Sequence, residues 1–116
     1  MQQNFLVAVL ISIKIVSMER GGSVYIMTNK HKTTLYVGVT SSLIARVQQH
    51  QQHIYQNSFT QRYNLECLVY YENFSTIEEA ISREKEIKKW RREKKDKLIN
   101  TMNPQWKDLW EEVKNW

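Results

Sequence analysis

The chain has 116 residues, of which 41% are hydrophobic and 25% charged, the composition of one globular domain that is too short for two. Its one cysteine, Cys67, excludes an internal disulfide, and its three histidines lack the spacing of a zinc motif. The fold therefore needs no oxidising compartment, and we expect a cytoplasmic protein.

The N-terminal segment is strongly apolar over residues 5–16. It is too short to span a bilayer as a helix, and a signal peptide would carry positive charge ahead of such a run. Met18 stands just before the first predicted strand and is a candidate start of translation. We treat residues 1–20 as a doubtful extension, place a single domain at residues 21–116, and expect no stable membrane association.

A β-hairpin is predicted from two aliphatic runs, residues 24–26 and 35–39, that flank the polar residues 29–33. Side chains alternate between the two faces of a strand. When the aliphatic side chains share one face, Tyr25 and Tyr36 share the other, and a glycine beside one of them clears space. Tyrosine is also a favoured strand residue, so packing is the simpler explanation of the pair taken alone.

An amphipathic helix is predicted from Leu43 to about Ile54, after hydroxyl residues at 40–42 that can cap it. Arg46 and His50, one helical turn apart, flank its apolar stripe on one side. We expect both side chains to reach the boundary between this helix and the sheet.

The remaining elements complete a small α+β fold. A loop at residues 56–62 comes first, followed by a strand from Leu65 to Tyr71. A helix capped by Ser75 or Thr76 then runs to about Lys89. The last two elements are a helix from Trp90 through Ile99 and a short helix opened by Pro104. The order β-β-α-β-α-α predicts a three-stranded antiparallel sheet flanked by helices.

A carboxylate interrupts the apolar face of the helix that follows Thr76. Glu84 falls near the middle of an arc formed by Ile77, Ala80, Ile81 and Ile87. A carboxylate that faces a core is costly unless it is paired or binds a metal. An ion pair with Lys88 or Arg91 is the structural explanation, and a Mg²⁺ or Mn²⁺ site with a single protein carboxylate is the functional one.

Positive charge is concentrated in one segment. Between Arg83 and Lys97 stand nine basic and four acidic residues, so this segment carries the whole net charge of +5. Such a stretch indicates a binding surface for a polyanion, although a solvated helix surface is about as common. The candidate nucleic-acid-binding residues are Lys85, Lys88, Lys89, Arg91, Arg92, Lys94 and Lys95.

These features together suit phosphodiester hydrolysis. A metal and an arginine can neutralise the charge that develops on the phosphate, and a base can take a proton from the attacking water. A free tyrosine titrates at about pH 10, so a tyrosine base would need a neighbouring cation to lower its pKa.

The chain resembles the GIY-YIG nuclease domain family. The two signature tripeptides match Val24-Tyr25-Ile26 and Tyr36-Val37-Gly38, and three further positions match Arg46, His50 and Glu84 in the family's order. Residues 98–106 resemble the tail of small stand-alone bacterial members, which are similar to the nuclease subunit of excision repair. Val24 replaces the glycine of the first tripeptide.

The resemblance implies a role for each of the five positions. Tyr25 would be the general base, and Tyr36 would orient the water or the scissile phosphate. Arg46 would stabilise the phosphate in the transition state, His50 would assist by hydrogen bonding or proton transfer, and Glu84 would hold Mg²⁺ or Mn²⁺. The substrate would be DNA, with branched or nicked forms as candidates, in repair or recombination.

Two departures from the family pattern matter. Val39 stands where the repair-type members carry a lysine. The family's late asparagine matches either Asn100 or Asn103, and the sequence does not decide between them.

Two other functions stay open. One is a non-catalytic nucleic-acid-binding module that keeps the fold and binds through the basic segment. The other is a membrane-surface or protein-interaction module, which would rest on residues 5–16 and the aromatic C-terminal tail. An inward Glu84 favours the enzyme, because a binding module has no need of it.

Overall fold

The computed structural model describes residues 21–52 and 59–116. The elements in these residues are β1 (Gly22–Thr28), β2 (Leu35–Thr40), α1 (Leu43–Gln51), α2 (Phe59–Arg62), β3 (Cys67–Phe74), α3 (Ile77–Lys88), α4 (Arg92–Met102) and α5 (Trp110–Val113). The apolar segment at residues 5–16 and the proposed start at Met18 lie outside the described residues, as does Ile54. Among the described residues, no helix is long and apolar enough to cross a membrane.

The strands form an antiparallel three-stranded sheet in the order β2-β1-β3, which confirms the predicted fold class. The hairpin between β1 and β2 turns on Asn29, whose side-chain oxygen accepts hydrogen bonds from the backbone N–H groups of Thr33 and Thr34. Lys32 takes a positive φ of 59° in this turn. The polar break in the sequence therefore closes the hairpin through one asparagine side chain.

Each face of the sheet has its own apolar core, because alternate residues of β1 point to opposite sides. On one face, Val24 and Ile26 pack with Val37 of β2 and with residues of α3 and α4. We call this the aliphatic face. On the other face, Tyr25 and Met27 pack with residues of α1 and α5, and we call this the tyrosine face.

Helix α3 begins with the predicted cap. The Thr76 hydroxyl accepts a hydrogen bond from the Glu79 backbone N–H, and the Glu79 carboxylate accepts from the Thr76 backbone. This capping box satisfies two donors that the first turn leaves without helical partners. The helix ends at Lys88, one residue before the predicted end.

Strand β3 lies further along the chain than predicted, because polar residues at its end also pair with β1. Glu72 is opposite Val24 and Asn73 is opposite Ser23 in the register. Their side chains have partners, since Glu72 pairs with Arg83 and Asn73 accepts from the Ser23 hydroxyl. The predicted strand from Leu65 to Tyr71 was therefore wrong at both ends.

Two predicted elements differ in kind. The region given as a loop contains the short helix α2 (Phe59–Arg62). The last helix opens at Trp110 and not at Pro104.

The late start of α5 follows from hydrogen bonds that hold the preceding residues in turns. The Asn103 side chain donates to the Val69 and Lys107 carbonyls and accepts from the Lys107 N–H. Asp108 accepts from the Leu68 N–H through its side chain. Residues 103–109 are thereby fixed against the outer edge of β3.

Candidate active site

Tyr25 and Tyr36 lie together on the tyrosine face, as the alternation predicted, with ring centroids 6.1 Å apart. Tyr25 is fully buried, and Tyr36 is half-buried. Gly38 lies opposite Tyr25 in the register. A Cβ atom at position 38 would stand 2.7 Å from Tyr25 Cε1 and closer still to Cζ and Oη, so the Tyr25 ring occupies space that only glycine leaves free.

Helix α1 brings His50 and Arg46 to the same place. Leu43 and Val47 bury its apolar stripe, and the buried His50 ring lies 5.7 Å from the Tyr25 ring and 5.6 Å from the Tyr36 ring. The Tyr25 Oη and His50 Nε2 atoms are 2.9 Å apart, a hydrogen bond whose direction depends on the imidazole tautomer. The half-buried Arg46 is near enough to shift the pKa values of both groups.

Burial sets the protonation of this pair. It raises the pKa of Tyr25 well above the ordinary value of a phenol; Tyr36 adds to the rise, and Arg46 opposes it. Burial also lowers the pKa of His50 to about 4, and the Arg46 charge adds to that effect. At neutral pH the site therefore holds a protonated phenol hydrogen-bonded to a neutral imidazole. The nearby cation that a tyrosine base would need is present, but desolvation outweighs it.

Glu84 lies on α3, which covers the aliphatic face, so its helix is across the sheet from the two tyrosines. Its side chain is 12% exposed, and its carboxylate pairs with Lys88 Nζ at 2.7 Å. The sequence predicted that Glu84 would face inward and could pair with Lys88, and the structure shows both features.

The neighbouring Arg83 shows to which side Glu84 leans. Arg83 reaches back to Glu72 on β3 at 2.8 Å. Consecutive helical residues point about 100° apart, and the buried Ala80 marks the direction of the sheet between these two side chains. Glu84 therefore leans away from β3, toward the edge strand β2.

A divalent cation at Glu84 would have one protein carboxylate, which is the carboxylate that pairs with Lys88 Nζ. No group of three or more His, Cys, Asp or Glu side chains that could hold a metal occurs among residues 21–52 and 59–116. A single carboxylate fits Mg²⁺ or Mn²⁺, because Mg²⁺ keeps several waters and takes the rest of its oxygen ligands from substrate phosphate. A zinc site would need more protein ligands.

The basic segment is only partly available to a ligand. Arg92 donates to the backbone carbonyls of Lys32 and Thr33 and pairs with Asp96, so it links α4 to the hairpin turn. Lys88 pairs with Glu84, and Lys94 lies over the Trp90 ring at 4.3 Å. The other candidates, Lys85, Lys89, Arg91 and Lys95, are exposed or half-buried.

Neither candidate for the late asparagine adds a side chain to the tyrosine cluster through a described contact. The Asn100 side chain accepts a hydrogen bond from Trp106 Nε1. Asn103 is buried and holds the turns before α5, as described above. Both hydrogen-bond sets are structural.

One residue beside the site could not be found from the sequence. Phe59 opens α2, and its ring lies 6.3 Å from that of Tyr36. The sequence placed it in a polar loop, and the only signal was an isolated phenylalanine among polar residues.

Two comparisons with known proteins give a match. The sequence matches the GIY-YIG catalytic domain family over residues 21–100, which include both tyrosines, α1 and Glu84. The chain is also similar to the solution NMR structure of the UPF0213 protein BH0048 from Bacillus halodurans. That match has 26% sequence identity and a TM-score of 0.49, and covers 76% of this chain and 92% of the other. No curated protein gives a match.

Proposed function

Since this chain belongs to the GIY-YIG catalytic domain family, we propose that it is a metal-dependent endonuclease that hydrolyses phosphodiester bonds of DNA. The observation that carries the proposal is the cluster of Tyr25, Tyr36 and His50 on the tyrosine face, with Arg46 close by. A phenol–imidazole pair can transfer a proton, and a guanidinium next to it can stabilise the negative charge of a phosphate.

Proton transfer starts at the Tyr25–His50 hydrogen bond. The oxygen of the attacking water would bond to phosphorus as the bond between phosphorus and the leaving sugar oxygen breaks. The water proton would pass to Tyr25 Oη and the phenol proton to His50 Nε2, while the leaving oxygen would take a proton from solvent. Burial and the Arg46 charge lower the pKa of His50 to about 4, so the imidazole is neutral at working pH and can receive the proton, but as a weak base it holds the proton only transiently. Tyr25 then relays the proton without ionising, which avoids a buried phenolate.

Arg46 and Tyr36 complete the polar surroundings of the phosphate. The Arg46 guanidinium would hydrogen-bond the phosphate oxygens as negative charge grows on them. Tyr36, half-buried beside Tyr25, would orient the water or the phosphate.

Glu84 would hold the divalent ion, which would neutralise charge on the phosphate and its leaving oxygen. Its position supports this role although α3 covers the opposite face. A Cβ atom on Gly22 would meet Ile77, so α3 starts over the beginning of β1. Glu84 is about 10 Å further along the helix, and Tyr25 is about 10 Å further along the strand.

We infer that α3 runs alongside β1, which brings Glu84 level with Tyr25 on the side of the helix nearer the edge strand β2. We propose that the substrate phosphate sits at this edge of the sheet, reached from the tyrosine face by Tyr25 and from α3 by Glu84.

A non-catalytic nucleic-acid-binding module is the second candidate. The ion pair between Glu84 and Lys88 favours it, because this pair gives the buried carboxylate a structural partner without any metal.

The deciding experiment is a cleavage assay on plasmid, flapped and junction DNA with Mg²⁺ or Mn²⁺. We expect cleavage by the unchanged chain and none by Glu84→Ala or Arg46→Ala, with both variants folded by circular dichroism. Glu111→Ala, which removes an exposed carboxylate on α5, is the matched control and should cleave normally. Equal cleavage by all four proteins would indicate a contaminating nuclease and defeat the proposal.

A further inference from the structure

An aromatic surface continues outward from the tyrosine face. The Phe59 ring lies 6.3 Å from Tyr36 on one side and 4.7 Å from Tyr63 on the other. Tyr36 in turn contacts Tyr25 and His50. The rings therefore form a continuous row from the buried Tyr25 to the surface.

The outer two rings of this row are unusually exposed for aromatic side chains. Phe59 and Tyr63 are each 44% exposed. Their mutual contact leaves a large part of each ring in water, although aromatic rings gain most when both faces are covered. A pair of exposed rings beside a polar site is therefore suited to stack with a flat, apolar ligand surface.

Positive charge accompanies the two rings. The Arg62 guanidinium lies over the Tyr63 ring, 5.7 Å from its centroid. Aromatic side chains that stack bases, next to cations that track the backbone, are the combination by which proteins bind single-stranded nucleic acid.

We propose that Phe59 and Tyr63, with Arg62, form a stacking subsite for an unpaired nucleobase beside the scissile phosphate. This inference rests on the proposed nuclease function. In a continuous duplex both faces of every base are already stacked, so a base can reach these rings only after it is unstacked at a cost in free energy. The subsite therefore selects DNA with unpaired nucleotides next to the cut, such as single strands, flaps and splayed junctions.

The test is a binding assay that does not depend on cleavage. Oligonucleotides that carry 2-aminopurine are titrated in EDTA, in single-stranded, flapped and fully paired forms. Phe59→Leu and Tyr63→Leu should each bind the single-stranded and flapped forms roughly 5- to 150-fold more weakly and change duplex binding little. Phe59→Trp, which keeps a ring, should retain affinity and the fluorescence quenching that stacking causes.

Met102→Ala is the matched control, because Met102 is 43% exposed on α4, which packs on the aliphatic face. Unchanged affinity of both leucine variants for unpaired DNA would overturn the proposal. So would an equal loss for the duplex, since it would indicate a general loss of affinity.

The failure of this proposal can be told apart from failure of the proposed nuclease. Ring-dependent binding without cleavage of any substrate would reject hydrolysis and support the subsite. Cleavage that is unchanged in Phe59→Leu and Tyr63→Leu, with unchanged binding of unpaired DNA, would reject the subsite and support hydrolysis.

Discussion

The ring of Tyr25 stands directly over Gly38, in the space that any side chain at position 38 would need. The two residues lie opposite each other on β1 and β2, so the backbone of one strand fixes the position of the other strand's phenol. The orientation of the proposed proton relay thus depends on a residue that makes no polar side-chain contact of its own.

Gly38→Ala should separate stability from activity. The added methyl group must displace Tyr25, and overpacking of this kind costs about 1–3 kcal/mol of unfolding free energy. We expect a folded protein whose cleavage rate falls by more than ~100-fold, because the phenol leaves hydrogen-bonding distance of His50. Plasmid nicking and urea denaturation measure the two effects. Val39→Ala, on the aliphatic face, should lose stability only, and equal activity of both variants would contradict the argument.

Removing the phenolic hydroxyls tests the assigned roles. Tyr25→Phe should lower the cleavage rate by ~10²- to 10⁴-fold, since the water proton then has no path to His50. Tyr36→Phe keeps the ring and should cost less. Tyr70→Phe is the matched control, because Tyr70 is also buried but lies on the aliphatic face. A Tyr25→Phe variant as active as Tyr70→Phe would exclude the relay.

The lowered pKa of His50 predicts how stability changes with pH. The folded state binds this proton only near pH 4, whereas the unfolded chain binds it near the ordinary pKa of 6.5. The contribution of neutral His50 to the free energy of unfolding is therefore fully present above about pH 6.5, and it is lost as the pH falls toward 4. Across this window we expect a loss of about 1–3 kcal/mol in the free energy of unfolding.

Urea denaturation at several pH values measures that loss, and His50→Gln should flatten it. His31→Gln, which removes an exposed imidazole in the hairpin turn, should leave the pH dependence unchanged. The same slope in His50→Gln as in the unchanged chain would show that another group is responsible.

Lys88→Met distinguishes the two explanations of Glu84. If the carboxylate serves a metal, freeing it from Lys88 should leave cleavage intact and lower the Mg²⁺ concentration needed for half-maximal rate. Stability without metal should fall, because the Glu84 carboxylate, 12% exposed, loses its ion-pair partner, and Mg²⁺ should restore part of the loss. An unchanged Mg²⁺ concentration for half-maximal rate, together with a loss of stability that Mg²⁺ does not restore, would favour a purely structural ion pair.

Arg92 and Lys89 should respond oppositely to substitution, although both lie in the basic segment. Arg92→Ala removes hydrogen bonds to two hairpin carbonyls and should cost about 1–2 kcal/mol of stability with little change in the salt dependence of DNA binding. Lys89→Ala should leave stability unchanged and, if it contacts a phosphate, reduce the salt slope by about 1. Fluorescence anisotropy at several salt concentrations measures the slope, and identical slopes for the two variants would contradict this division.

Alternation and capping made much of the fold predictable. The two-residue period placed Tyr25 and Tyr36 on one face, and the hydroxyl residues Ser75 and Thr76 marked the start of α3, where the structure has Thr76 as the cap. These signals are local, so they survive in a single sequence.

The predicted bounds were wrong where contacts between residues far apart in the sequence determine the local structure. Glu72 extends β3 opposite Val24 and has Arg83 as its side-chain partner. Asn103 holds the residues after Pro104 in turns through a hydrogen bond to β3. Helix periodicity placed Glu84 toward the core, but only the packing of α3 relates it to the edge of β2.

The turns between Asn103 and Leu109 have a consequence for how copies of this protein behave in solution. They occupy the backbone of Leu68 on the outer side of β3, where an open strand would accept another chain. A chain that ends before Asn103 would lose this cover, and we expect it to aggregate through strand-to-strand pairing. We therefore expect the turns at residues 103–109 to limit self-association through the outer edge of β3, a property that cleavage assays alone would not reveal.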